Sequence, residues 1–386
     1  RGILSQYFKD GYPVLSFTIE AAWHYVLSRI IRKDGVFKTG SDIVEYIRKY
    51  EGLKGIREGA GEFLLEEVSG KREGLLVDLV GISPDYKDIV ARPLAMAFNV
   101  FPAGEMVQKL MAVSPVNTFE AFVQADFILE RNLQNKLRYE VMDAMVEEFR
   151  RRQPDERLMS RVLARYEDIA YMLGYYEQSL DLSLEILKLR ESFLEPEDPL
   201  QAESLNKISI SYRKLKQLEK SEEYGLKAMK LREKILPDDH MDLALSYDNM
   251  AKVYEKLGQY KKSYGIAKKL IAIYEKRLHP YHPLLSRVLN DTAITLRQDG
   301  QKEASMAMSR RAIEIAEKSL DPNHYQRAYC YWTLSETHFK FEEYEEALKC
   351  MRLNISILQK VFPADHPNNK LALEIVAKME AKVNGH

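Results

Sequence analysis

The sequence predicts a mainly α-helical chain in two parts, a helical N-terminal region followed by an array of helical hairpins. Three observations carry this reading. His240, His282, His324 and His366 stand 42 residues apart. Small residues recur on the same period at Ser179, Ser221, Ser263, Ser305 and Ala347, and Gly174, Gly258 and Gly300 fall in register with them. Prolines close successive segments at Pro196, Pro237, Pro280, Pro322 and Pro363. A fixed period sustained over half the chain marks stacked, similar supersecondary units.

The first 152 residues lack that period. Residues 14–32 pattern as an amphipathic helix, and residues 41–50 as another with Ser41 or Asp42 as N-cap. Residues 60–69 and 71–80 pattern as two more. The order then changes. Helices are predicted at Lys87–Asn99, Glu105–Met111 and Thr118–Gln124, followed by two short strands, Phe127–Glu130 and Leu137–Val141, and a closing helix at Met142–Arg151. Three helices and a two-stranded wing read as a winged-helix-like domain. The expected boundaries are therefore 1–84 (helical), 85–152 (winged-helix-like) and 153–386 (repeats).

Each repeat holds two helical runs joined by a tight turn. Glycine suits that turn because it tolerates positive φ. The periodic small residues let the two helices approach closely and mark the seam of a hairpin. Pro199, Pro283 and Pro367 stand where a helix begins, a position that needs no backbone N–H. About five hairpins result, with a last helix over Asn368–Lys382 as a cap. The histidines face successive loops, separated by helix packing distances of ~8–10 Å. They cannot converge on one ion at the ~2 Å that metal ligation requires. Each is expected to bond backbone groups and fix the entry to the next helix.

At these residues the chain resembles tetratricopeptide repeats of the long, 42-residue kind found in kinesin light chains, whose units carry a similar Asp-His-Pro break and Gly-x-Tyr-x-x-Ala turn. The resemblance covers roughly residues 157–386. It implies a superhelix whose first helices line a concave groove that binds protein or peptide. Mapped onto this sequence, the groove residues are Asn206, Arg213, Asp248, Lys252, Arg287, Asn290, Arg297, Tyr329, Trp332 and Glu336. Asn206 and Asn290 can clamp a peptide backbone through one donor and one acceptor. Arg213 and Arg297 can read a carboxylate. Tyr329, Trp332 and Phe339 form an aromatic end, as a binding anchor or as packing against the last helix.

The N-terminal part resembles the regulatory region of STAND signalling ATPases, the class that includes NB-ARC proteins. Gly11-Tyr12-Pro13 matches the Gly-x-Pro that opens their helical domain, and Val141-Met142-Asp143 stands where their winged helix carries a His-Asp pair. The resemblance implies a longer parent protein with an upstream domain that binds ADP or ATP, and homo-oligomerisation on activation. The chain opens at Arg1 without methionine, which fits a fragment. Its rival is a stand-alone adaptor or scaffold.

Composition excludes other classes. A net charge of −1, with 30% charged residues of mixed sign, gives no basic footprint for nucleic acid. Cys330 and Cys350 are the two cysteines, too few for a disulfide framework or zinc cluster, and fit a reducing, cytoplasmic setting. No apolar run reaches the roughly 20 residues that span a bilayer. Ser69-Gly70-Lys71-Arg72 lacks the earlier glycine and the hydroxyl of a phosphate-binding loop, and no nucleophile or metal motif appears. The expectation is a non-enzymatic recognition module that carries no cofactor of its own.

Overall fold

The computed structural model describes residues 28–29, 37–49, 56–82, 84–152 and 155–384. Gly11-Tyr12-Pro13 and most of the helix expected over 14–32 lie outside them. The described residues form 18 helices and no strand. The chain divides into two compact units, Arg1–Phe193 and Leu194–His386.

The first unit holds α1 (Gly40–Lys49), α2 (Ile56–Ser69), α3 (Gly74–Ile82), α4 (Lys87–Val100), α5 (Ala103–Val113), α6 (Pro115–Arg131), α7 (Asn135–Arg152), α8 (Glu156–Met172) and α9 (Tyr176–Phe193). The start of α1 is a capping box. Asp42 Oδ2 accepts from the amides of Lys38 and Thr39 at 2.8 and 2.9 Å, and the Asp42 amide points back to Thr39 Oγ1. Asp42 thus caps from inside the first turn, and Thr39 holds the cap position expected for Ser41 or Asp42. Helices pack on their second neighbours: α2 on α4, α4 on α6, α3 on α5 and α5 on α7. Leu64, Leu76, Leu94, Phe98, Phe122, Met145 and Phe149 fill the core between them.

The wing does not form. Phe127–Glu130 is the last turn of α6 and Leu137–Val141 lies inside α7. Between the two helices Leu133 takes φ 55° and closes a tight helical turn, with its amide bonded to Glu130 O and the Gln134 amide to Leu129 O, both at 2.9 Å. That is the left-handed turn that usually takes glycine. Met142 is fully buried, and Asp143 accepts from the Tyr166 hydroxyl at 2.6 Å. The winged-helix assignment is therefore wrong, and the STAND resemblance loses one of the elements on which it rested.

Hairpin α6/α7 matches α8/α9 in helix lengths, 17 and 18 residues in both. The turn conformation is shared too, since Gly174 takes φ 81°. It differs at the seam. Buried Asp126 of α6 faces Arg138 of α7, whereas Glu167 of α8 faces the small Ser179 of α9. A large ion pair holds α6 and α7 further apart, and they share few close backbone approaches.

The second unit holds α10 (Pro199–Lys214), α11 (Leu218–Ile235), α12 (Met241–Lys256), α13 (Tyr260–Arg277), α14 (Pro283–Gln298), α15 (Lys302–Ser319), α16 (Tyr325–Lys340), α17 (Tyr344–Val361) and α18 (Pro367–Asn384). Consecutive helices pair as hairpins from α10/α11 to α16/α17, and α18 packs on α17. Each seam is closed by a hydroxyl bonded across it to a backbone carbonyl, and the α10/α11 seam by two, since Ser209 also donates to Ser221 O at 2.7 Å. Ser221 donates to Ser209 O, Ser263 to Ala251 O and Ser305 to Ala293 O, at 2.7 to 2.8 Å. In the last hairpin the roles reverse: Ser335 of the first helix donates to Ala347 O at 2.7 Å. Serine on one side, and alanine or serine on the other, keeps the helices close and gives these seam hydroxyls a partner.

The histidine ladder is a capping ladder. His240, His282 and His324 are the N-caps of α12, α14 and α16, each accepting at Nδ1 from the amide two residues on, at 3.1, 3.2 and 3.1 Å. His366 does the same for Asn368 at 3.2 Å. Asp198 holds the equivalent place before α10 and accepts from Leu200 at 2.8 Å. The cap needs the neutral imidazole, because Nδ1 must accept. Replacing His282 by alanine is expected to cost about 1 kcal/mol in urea unfolding, and replacing it by aspartate almost nothing. Equal losses for both variants would refute capping as the role of the ladder.

Candidate functional site

The first helices of the second unit (α10, α12, α14 and α16) carry every groove residue predicted from the sequence. Neighbouring first helices meet, α10 with α12 and α14 with α16. The structure sorts the predicted residues into three polar groups and an aromatic one.

Asn206 and Arg213 meet through Asn249 of α12. Asn249 accepts from Arg213 Nε at 3.1 Å, and its Nδ2 donates to Ser209 Oγ at 2.8 Å and reaches Asn206 Oδ1 at 3.5 Å. Asn206 is therefore buried and bonded within the fold. Asn290 has the opposite character. It is fully enclosed, and neither atom of its amide has a hydrogen-bond partner among the described residues. An unmade pair of this kind costs about 1–3 kcal/mol.

Between α12 and α14, Asp248, Lys252 and Arg287 form a charge cluster with Asp291. Lys252 Nζ is 2.8 Å from Asp248 and 4.0 Å from Asp291, and Arg287 is 3.2 and 3.4 Å from the same two carboxylates. Two cations and two anions neutralise one another, and they leave a cavity of only about 20 Å³. Burial nevertheless pushes the Asp291 carboxyl up to about 6, with Asp248 and Glu255 adding to the rise against the pull of Lys252 and Arg287. Burial also lowers the Arg297 guanidinium, whose NH1 lies 3.7 Å from Glu336 on α16.

Tyr329 and Trp332 belong to a separate cavity of about 140 Å³, closed by Tyr325 of α16, Asn354 and Leu358 of α17, and Asn368 and Leu371 of α18. Burial pushes the Tyr329 phenol up to about 12, with Asp291 and Glu255 adding to the rise. The aromatic residues thus line an opening as well as packing against the last helix.

Sequence mapping missed Asn249 and Asp291, which follow predicted residues directly. They stand 42 residues apart and are polar on a helix that otherwise buries its neighbours, a signal present in the repeat alignment. It also missed Asn354, whose helix was not considered for the site.

A wider cavity of about 520 Å³ lies elsewhere in the unit, lined by Glu233, Asp238, Asp239, Tyr247, Lys269 and Lys276. Most of its charges are paired with one another. Lys276 and Arg277 hold Asp239 down at about 2, and Glu233 accepts from Tyr247 and Lys269. Cys330 and Cys350 are free thiols that burial pushes up to about 11, far from the thiolate a nucleophile needs. No group of three or more metal-ligating side chains comes together among the described residues, and no described helix is long and apolar enough to cross a membrane.

Comparison with known proteins agrees with the helical-repeat fold. RapI in its apo form has a TM-score of 0.57 at 13% identity, covering 90% of this chain and 97% of that one. A Rap protein complexed with Competence and Sporulation Factor has a TM-score of 0.50 at 12% identity, covering 97% and 99%. BtubC from P. vanneervenii has a TM-score of 0.51 at 16% identity, covering 60% and 94%. At these identities the likeness is one of fold alone. No curated protein sequence matches. Residues 168–234 and 241–318 match the tetratricopeptide repeat, and residues 327–368 match a second tetratricopeptide repeat family. With the hairpin seams, glycine turns and capping ladder, these matches make residues 168–368 a tetratricopeptide-repeat array.

Proposed function

We propose that the second unit is a recognition module that holds a peptide or an extended protein segment along its first helices, as an adaptor would. The observation that carries this is Asn290. A buried amide with neither donor nor acceptor used is a standing cost to the fold. Such costs persist where a ligand makes use of them. Asn290 lies beneath the row of Asp248, Arg287, Asp291 and Arg297, so a backbone that displaces the side chains covering it would supply both of its missing bonds. A Rap protein of similar fold is known in complex with Competence and Sporulation Factor, which supports binding as the use of this architecture. The first unit has no function assigned to it by this reading.

The test uses a peptide selected from a displayed random library on the full chain, then labelled and titrated. Asn290→Leu is expected to raise stability by about 1 kcal/mol, because it removes the unmade bonds, and to weaken the selected peptide at least tenfold. Arg297→Ala is expected to weaken it as well. Unchanged affinity in both variants would remove the groove from the argument.

A further inference from the structure

We infer that the aromatic cavity between α16, α17 and α18 is a socket for a phenol ring, and that its occupant is a tyrosine side chain of the bound peptide. The clause about the peptide rests on the reading above; the chemistry of the socket does not. The cavity measures about 140 Å³, close to the ~150 Å³ engineered cavity that takes benzene. A single six-membered ring fills it and a fused bicycle overfills it. Its walls are Tyr325, Tyr329, Trp332, Leu358 and Leu371, with the amides of Asn354 and Asn368.

One polar group in the wall asks for a partner. Asn354 is 1% exposed, and its Nδ2 donates to Ala328 O at 2.8 Å. Its Oδ1 is buried and accepts nothing among the described residues. That atom can only accept, so the occupant must bring a donor. One acceptor calls for one donor. No carboxylate lines the cavity to neutralise a buried ammonium or guanidinium, and no cation lines it to receive an anion. A neutral ring with a single hydroxyl satisfies size, walls and acceptor together. Tyr325 and Leu371 are 45% and 47% exposed, so the socket is open to a side chain arriving from solvent.

Trp332 lines the cavity, and Trp23 is the other tryptophan, so fluorescence of the full chain with Trp23→Phe reports occupancy. The probes are p-cresol, toluene, 3-methylindole, benzylamine, N-acetyltyrosine amide and N-acetylphenylalanine amide. p-Cresol is expected to bind about tenfold more tightly than toluene, the value of satisfying one buried acceptor. N-acetyltyrosine amide should exceed its phenylalanine counterpart by a similar factor. Asn354→Leu should abolish the p-cresol preference, and Leu358→Phe should abolish binding by filling the space. The ligand pairs test the proposal without any variant in the cavity, so misfolding of either one does not decide it. Toluene matching p-cresol, or 3-methylindole or benzylamine binding better than both, would overturn the phenol. p-Cresol binding without N-acetyltyrosine amide would overturn the peptide source. The probes are read through Trp332 and Asn354 and the groove titration through Asn290 and Arg297, so failure here leaves the groove titration intact, and failure there leaves the socket intact.

Discussion

Replacing Asp126 by alanine is expected to destabilise the first unit by about 3–5 kcal/mol, the usual cost of removing one partner from a buried ion pair. Asp126 has no exposed surface and Arg138 is 1% exposed. The two meet in a bidentate pair, Arg138 Nε to Oδ1 at 2.5 Å and NH2 to Oδ2 at 3.0 Å. Arg165 of α8 closes on the same carboxylate. Loss of the carboxylate strands a buried guanidinium whose remaining contacts are Asn135 at 3.0 Å and Glu130 at 3.5 Å. The double variant Asp126→Leu/Arg138→Met removes both charges and should lose less than Asp126→Ala alone, because no unpaired charge stays inside. Chemical denaturation followed by circular dichroism measures both. A loss below about 1 kcal/mol for Asp126→Ala would mean that water reaches the pair and that it does not hold α6, α7 and α8 together.

This pair also shows why the first unit was misread. Hairpin α6/α7 has the helix lengths and left-handed turn of α8/α9, yet none of the sequence marks. Leucine replaces glycine at the turn, at Leu133, and an aspartate–arginine pair fills the seam that serine fills elsewhere. Leucine in a left-handed conformation is paid for by the turn hydrogen bonds and is no turn signal in a sequence. The short apolar run Phe127–Leu129 before Glu130 is the end of a helix, with Phe127 half exposed and Arg165 over its ring. Tertiary packing decided that segment against its local pattern.

The second unit was legible because its devices are local and repeated. A cap two residues before its amide, a glycine with positive φ and a serine at the seam act within one hairpin, so each leaves a mark every 42 residues. Lys216 and Glu342 occupy the same turn position at φ 60° and 64°, and the period located their hairpins where the residue type would not. The site was legible only as a stripe. One residue per turn of each first helix was read, whereas Asn249 and Asp291 join the face from the adjoining position and reach across to the neighbouring hairpin, Asn249 to Ser209 and Asp291 to Lys252. Pairing between hairpins leaves no local mark. The Asn354 amide belongs to a second helix, and its empty acceptor follows from three helices meeting, which no periodicity encodes.

Replacing Asp291 by asparagine is expected to stabilise the chain at pH 7.5 and to leave it unchanged at acid pH. The folded chain holds a proton on this carboxyl up to about pH 6, against the ordinary value of 3.8. Folding therefore takes up a proton between those values, and this group's contribution falls as pH rises through the window and levels above 6. Burial is the principal cause, with Asp248 and Glu255 adding repulsion that Lys252 and Arg287 do not fully offset. About two units of rise correspond to about 3 kcal/mol. The 26% of the Asp291 side chain that meets solvent reduces this to roughly 2 kcal/mol. Asparagine keeps the shape and removes the titration, so the difference between variant and parent should open between pH 4 and pH 6.5 and then stay constant. Urea denaturation across that range reads it directly, and the difference between the two chains cancels every other titrating group. A variant less stable than the parent at pH 7.5 would show that the ion pairs to Lys252 and Arg287 outweigh the burial. The stabilising outcome has a functional corollary. A fold that keeps a buried carboxylate whose burial two cations do not fully offset, beside an unbonded asparagine, holds this face at a cost, and a ligand that brings a donor to Asp291 would recover part of it on binding.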